Sequence, residues 1–405
     1  MRMRILPCLL LLCTPFAEAV EQDVHGLIDV RLAMTDGIDS YLAGDYGKFR
    51  YDDGNRLALG QGSLSYRLSL SDEFSFLAVG NAYAEDGDYS GGLTEAYFSY
   101  RGLPSENGYR TKARAGLMYP KVSMTNVLNG WASPYTLTYS AINAWLGEEL
   151  RHEGVEFSIT RLGRFRGDKG DLEIAVAVFR ANDPAGAVLS WHGWTASDRQ
   201  TLRHEDLALP NSHIGFVPDA SDAFLELDDR LGYHVNFQWT LHGQGKLLAG
   251  YYDNRGDPRV VEDLQWAWRT RFYHIGVKWQ LADDYELIAQ ALLGDTLMQN
   301  SSGTTDLVNN DYDSAFIMLS KKSGSHRISG RLETFAVTDN DAIAVDNNDE
   351  DGKSVTLNYT YRFEKNWFAH TEFNWVDSDR PSRTGLDHPQ RLIERQLLIG
   401  LRYFI

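Results

Sequence analysis

The sequence predicts an all-β fold, a transmembrane antiparallel up-and-down β-barrel of about 16 strands. Three observations predict it. Segments that alternate apolar and polar residues recur along the chain, and short joints alternate with long polar ones. An export signal opens the chain, and no later segment is apolar enough for a transmembrane helix.

Residues 1–19 read as a cleaved secretory signal peptide. Arg2 and Arg4 give a basic start, Ile5 to Cys13 an apolar run, and Ala17-Glu18-Ala19 the small-x-small cleavage pattern. The run is shorter than the roughly 20 residues that a spanning helix needs. A lipoprotein signal at Cys13 competes, but Leu12 precedes it where such signals carry a small residue. Cys8 and Cys13 are the two cysteines, so the chain after the leader has no thiol, disulfide or cysteine-ligated metal. Residues 20–405 follow as one domain, with no Pro/Ser-rich linker. A net charge of −17 argues against nucleic acid or an anionic membrane surface as partner.

Alternation is clearest in Val24–Leu32, Tyr233–Leu241, Tyr273–Leu281 and Val355–Phe363. Successive strand side chains face opposite sides, so each has one apolar and one wet face. The predicted strands are 23–34, 56–71, 74–85, 93–102, 109–119, 152–162, 171–182 and 231–241. The rest are 246–254, 268–281, 285–296, 313–320, 326–337, 353–363, 367–377 and 395–405. Tight joints such as Ser71-Asp72-Glu73, Ala282–Asp284 and Glu364–Asn366 alternate with long polar ones, chiefly 35–55, 120–151, 183–230 and 338–352. Outer-membrane barrels have this asymmetry between periplasmic turns and outside loops.

Gln396–Ile405 resembles the C-terminal strand that the outer-membrane assembly machinery reads, with Tyr403 third from last. It departs in ending on Ile405 where that signal usually ends on Phe. Glu95–Arg101 followed by Arg114–Pro120 resembles paired strands of the phosphate-selective porin O/P family. The chain after the leader resembles, over its whole length, the 16-stranded general porins of Gram-negative outer membranes. That resemblance implies a homotrimer among lipid and lipopolysaccharide, and a water-filled channel passing small hydrophilic solutes. It also implies that the joint 120–151 folds inward as a constriction loop.

Strand phase sends Arg31, Arg67, Arg110, Lys112, Arg114, Lys278, Arg327, Arg331, Arg362 and Arg402 inward. Inward acids are fewer: Asp29, Glu95, Glu156, Glu333 and Glu372. The expectation is a basic, anion-favouring lumen inside an acidic protein. Arg402, Arg31 and Arg67 would form a ladder on neighbouring strands, opposed by Glu148 and Glu149 of the constriction loop, with a transverse field between them. Simple pairing of each arginine with a lumen acid competes with this reading. Arg110 is expected at the periplasmic rim and Arg114 in the pore.

Asn347 to Gly352 begins like an EF-hand, but Asn358 stands where a bidentate Glu belongs, so it reads as a solvated loop. Loose bridging of lipopolysaccharide by divalent cations through this acidic loop competes. Trp191, Trp194, Trp266, Trp268, Trp367 and Trp375 are expected in interfacial girdles. His192, His204 and His213 share a loop with acids, yet no nucleophile or zinc motif accompanies them. No enzyme, cofactor or metal site is expected. A surface receptor or adhesin, and then an outer-membrane hydrolase, are the alternatives.

Overall fold

Each alternating stretch forms one strand of a closed sheet in the computed structural model, which describes residues 21–85, 88–210 and 214–405. The expected signal peptide and His213 lie outside the described residues. The barrel strands are β1 Glu21–Asp36, β2 Gly54–Ser69, β3 Phe74–Glu85, β4 Asp88–Arg101, β5 Tyr109–Met118 and β6 His152–Arg161. Next come β7 Gly170–Arg180, β8 Gly232–Leu241, β9 Gly245–Asp253, β10 Arg269–Ala282 and β11 Tyr285–Gln299. The last five are β12 Asp306–Ser323, β13 His326–Asp339, β14 Glu350–Arg362, β15 Trp367–Asp379 and β16 Arg391–Phe404. Neighbours in sequence pair antiparallel, and β16 returns to β1 from Leu27↔Phe404 to Asp36↔Arg395. Closure leaves no free sheet edge, which a lipid environment demands.

The outer surface follows from phase. Ile28, Val30 and Leu32 on β1 and Ile399 and Leu401 on β16 are exposed, while Asp29, Arg31 and Arg402 point inward and are buried. Aromatic residues mark both ends of this apolar belt. Trp367 packs on Tyr403 near the short turns, and Tyr251 packs on Tyr273 near the long loops. No helix among the described residues is long and apolar enough to cross a membrane.

The inner face is not polar throughout. Leu248, Tyr252, Phe272, Ile288, Leu292, Tyr312, Phe316 and Phe335 point inward from β9 to β13 and are buried. Something must cover them, because each large apolar side chain removed from water contributes about 1.5–3 kcal/mol. The cover is two long loops that turn into the barrel, residues 119–151 and 181–231. The first carries helix α1 (Ala141–Glu149), and Ile142, Trp145 and Leu146 pack into the same cluster. The second carries helix α2 (Ala187–His192).

This overturns the girdle expectation for four tryptophans. Trp191, Trp194, Trp266 and Trp268 are buried in or above the lumen, where the loops bring them together. Trp367 stands in the outer belt as expected.

Candidate functional site

The candidate site is the lumen where the two inward loops meet the charged wall. Glu372 on β15 accepts hydrogen bonds from the backbone N–H of Leu137 and, at 2.8 Å, of Thr138. Arg331 on β13 donates to the carbonyls of Thr138 at 3.2 Å and Tyr139 at 2.7 Å. Glu333 accepts from the N–H of Ala141 at 2.6 Å, at the start of α1, where the helix dipole favours an anion. On the opposite wall Gln61 donates to the carbonyl of Gly130 at 2.7 Å. The first inward loop thus spans the lumen as the resemblance implied, tied to the wall on both sides.

The second inward loop was not expected to enter the barrel. Asp198 forms ion pairs with Arg31 and, at 3.2 Å, with Arg50. Lys48 donates to the carbonyl of Trp194 at 2.7 Å and pairs with Glu350. The indole of Trp194 donates to the carbonyl of Ala336 at 2.9 Å. Gly186 begins α2 at φ +104, and a side chain there would overlap Thr296 and Thr270. Glycine is what allows this close approach to the wall.

The arginine ladder does not form as expected. Arg31 and Arg402 both grip Asp29, Arg31 through two 3.0 Å bonds and Arg402 at 2.8 Å. Arg67 lies toward the short-turn end of β2, opposite Asp23, and is exposed. The acid that reaches Arg31 across the lumen is Asp198, not Glu148 or Glu149. Glu149 accepts from the N–H groups of Gly186, Val188 and Leu189 at 2.8–3.3 Å, capping α2. Glu148 accepts from the Thr195 hydroxyl at 2.7 Å. Burial, reinforced by the neighbouring Glu149, pushes Glu148 up to about 7. The physical reason is the second loop, which interposes itself between α1 and the arginines.

Other expected residues are found paired on the wall. Arg114 makes two bonds to Glu156 at 3.0 and 3.1 Å, and Lys112 reaches Glu173 at 2.6 Å. Lys278 pairs with Glu286 at 3.1 Å and Arg331 with Glu333 at 3.5 Å. Arg362 donates to the backbone carbonyls of Glu364 and Lys365 at the short-turn rim. It faces a cavity of about 750 Å³ whose lining includes Lys322, Arg327, Lys365 and Arg402 against the single acid Glu364. Sequence reading missed Asp198, Arg50, Lys48 and Glu350, because three of them lie in loops without periodicity.

The outside loop 338–352 folds on itself. Asp339 accepts from the N–H groups of Asp341 and Asn348, and Asp349 accepts from that of Asp339.

Comparison with known proteins agrees with this geometry. The beta-barrel porin-2, OmpL-like family matches residues 220–403, somewhat less than half of the chain. A search of curated proteins by sequence finds no match. Among solved structures, the outer membrane channel DcaP of Acinetobacter baumannii is 11% identical with a TM-score of 0.55. The match covers 98% of this chain and 100% of that one. The barrel has the porin fold. OmpT of Vibrio cholerae in its trimer form is 12% identical, TM-score 0.52, covering 96% of this chain and 100% of its own. The anion-selective porin from Comamonas acidovorans is 11% identical, TM-score 0.51, covering 95% and 100%. A closed porin-type barrel with an apolar belt belongs in the Gram-negative outer membrane.

Proposed function

We propose that this porin-fold barrel is a diffusion channel for small hydrophilic solutes, narrowed by its two inward loops and favouring anions. The observation that carries the reading is the basic vestibule at the short-turn end, where Lys322, Arg327, Arg362 and Lys365 surround about 750 Å³ with one opposing carboxylate, Glu364. Such a one-signed mouth concentrates counter-ions and raises their entry rate. The anion-selective porin of the same fold supports this direction. Both loops are held to the wall by ion pairs and hydrogen bonds, so passage runs between them or follows their displacement.

The channel works as a homotrimer. Ala78, Gly80 and Ala82 on β3, Ala96 on β4 and Ala113 and Ala115 on β5 share one outward face. These small side chains alternate with Phe76, Phe98 and Tyr100 on the same face, leaving gaps between rings that a second copy's side chains can fill. The trimer form of the similar OmpT barrel supports the arrangement.

A second reading is favoured by the filled lumen itself: a plugged surface receptor that binds without conducting. Planar-bilayer recording under a KCl gradient separates the two. Steps with a reversal potential favouring chloride are expected, larger after deletion of residues 194–200. A reversal potential favouring potassium would overturn the anion preference. Absence of steps in both proteins would leave the receptor reading.

A further inference from the structure

Three histidines stand together on the inner wall, beside the Arg114–Glu156 pair but not bonded to it. His152 opens β6, His234 lies on β8 and His274 on β10, and all are buried. Their alcove exists because the intervening inward positions are small. Asn236 on β8 stands level with Gly250 on β9 and His274 on β10. A side chain at Gly250 would overlap both the His274 Nε2 and the Asn236 Oδ1 atoms, so these groups converge on one point over the glycine. The Nε2 atoms of His234 and His274 are 3.0 Å apart.

We propose that His234 and His274, with His152 beside them, form a binding site for a first-row transition-metal cation such as Zn²⁺ or Cu²⁺. Imidazole nitrogens bind such ions at about 2.0–2.1 Å, so two on one ion stand roughly 3 Å apart when they meet it near a right angle. The tetrahedral angle of Zn²⁺ puts them about 3.3 Å apart, so replacing the 3.0 Å hydrogen bond by a shared ion needs a movement of only a few tenths of an ångström.

The hydrogen-bond pattern supports the site independently. The Asn236 amide nitrogen faces His234 Nδ1 at 3.4 Å, which leaves His234 Nε2 as the proton donor to His274 Nε2. His274 must then carry its own proton on Nδ1, and that buried atom has no partner. Asn236 Oδ1 and both ring nitrogens of His152 are also buried without partners. An ion on the two Nε2 atoms moves the His234 proton to Nδ1. A flip of the Asn236 amide then presents the orphan Oδ1 as its acceptor, the usual outer support of a metal-bound histidine. His152, whose ring stacks on Phe179 and lies edge-on with its centre 5.4 Å from that of His234, would join the ion only by turning out of that stack. Glu156, engaged with Arg114 and Lys121, is the nearby acid that offsets added positive charge. A small cavity lined by Lys112, Glu173, Gln238 and Thr240 lies further down the same strands toward the short-turn end.

The test uses the full chain without a histidine tag, folded in detergent, with equilibrium dialysis against Zn²⁺. About one equivalent is expected to be retained, and His234→Gln or His274→Gln is expected to abolish that retention. Asn236→Leu, which removes only the outer support, is expected to weaken it by about 10–100-fold. His326→Gln, on the outside of the barrel, is expected to leave it unchanged. Retention by the double variant His234→Gln/His274→Gln at wild-type strength would overturn the site, as would no retention by the wild type. Should the histidine variants not fold, Cu²⁺ at one equivalent on the wild type decides by electron paramagnetic resonance. Coupling to two or more imidazole nitrogens supports the site, and oxygen-only ligation overturns it.

Discussion

Asp29 shows how the charged wall works one residue at a time. Its carboxylate has no contact with water and lies between the guanidinium groups of Arg31 and Arg402. Removing one partner of a buried ion pair costs about 3–5 kcal/mol, because the remaining charges stay buried without compensation. Asp29→Asn is therefore expected to lower unfolding stability by that order, measured by urea titration of the refolded barrel. An unchanged midpoint would mean that Asp198 suffices for Arg31 and the Ser133 carbonyl for Arg402. Glu372 plays a different part, since it accepts from the backbone of the first inward loop and from the Thr138 hydroxyl at 2.6 Å. Bonds to a charged acceptor are worth about 1.5–3 kcal/mol, so Glu372→Leu is expected to speed amide exchange at Leu137 and Thr138 about 10–100-fold. Equal exchange in both proteins would show the loop to be held elsewhere. The inward phase of Asp29, Arg31 and Glu372 is legible from alternation. Their partners are not, because Asp198 and Thr138 sit in segments whose sequence has no period.

At the scale of elements, the strands were legible and the loops were not. Alternation locates every barrel strand, yet it shortens β12, predicted as 313–320 and observed as Asp306–Ser323. The segment Asn309-Asn310-Asp311 is polar on both faces, so the period disappears where the strand rises toward the long loops. The same limit hid α2, whose six residues are fixed by tertiary contacts rather than by an amphipathic repeat. Neighbouring carboxylates tie α1 to the second inward loop, Glu149 by capping α2 and Glu148 by accepting from Thr195 just beyond it. Burial raises Glu148 to about 7, so the packed loops favour its protonated form. When the loops separate, the carboxyl returns toward its ordinary value of 4.5. The packed arrangement is thus strongest below that value and weakens as pH rises toward 7. Single-channel conductance is expected to increase between about pH 5 and 7.5 as the loops loosen. Glu148→Gln, which keeps the neutral form, is expected to reduce that rise, with Glu149, pushed up to about 7 by the same burial, supplying the rest. A rise of equal size in the variant would assign the pH response to other groups.

For the molecule as a whole, the decisive asymmetry is in the lumen. The wall from β9 to β12 is largely apolar and collects the inward loops, while β1, β2 and β13 to β16 contribute most of the buried polar ties. The sequence showed the basic wall charges but not this division, because an apolar inward face reads the same as a strand buried on both sides. Net charge is a poor guide to selectivity for the same reason: the chain carries −17, yet the short-turn vestibule is basic. Acids concentrated in outside loops are screened from that vestibule by distance and salt. The Debye length is about 10 Å at 0.1 M and 3 Å at 1 M. If Lys322, Arg327 and Arg362 set the preference, replacing all three with Gln is expected to shift the reversal potential toward potassium at 0.1 M salt. Raising the salt toward 1 M is expected to shrink the difference between variant and wild type, since the field then reaches only ions in contact with the wall. A preference for chloride that survives the triple replacement at low salt would place the selecting charges deeper, at the loop contacts of Arg31 and Arg50.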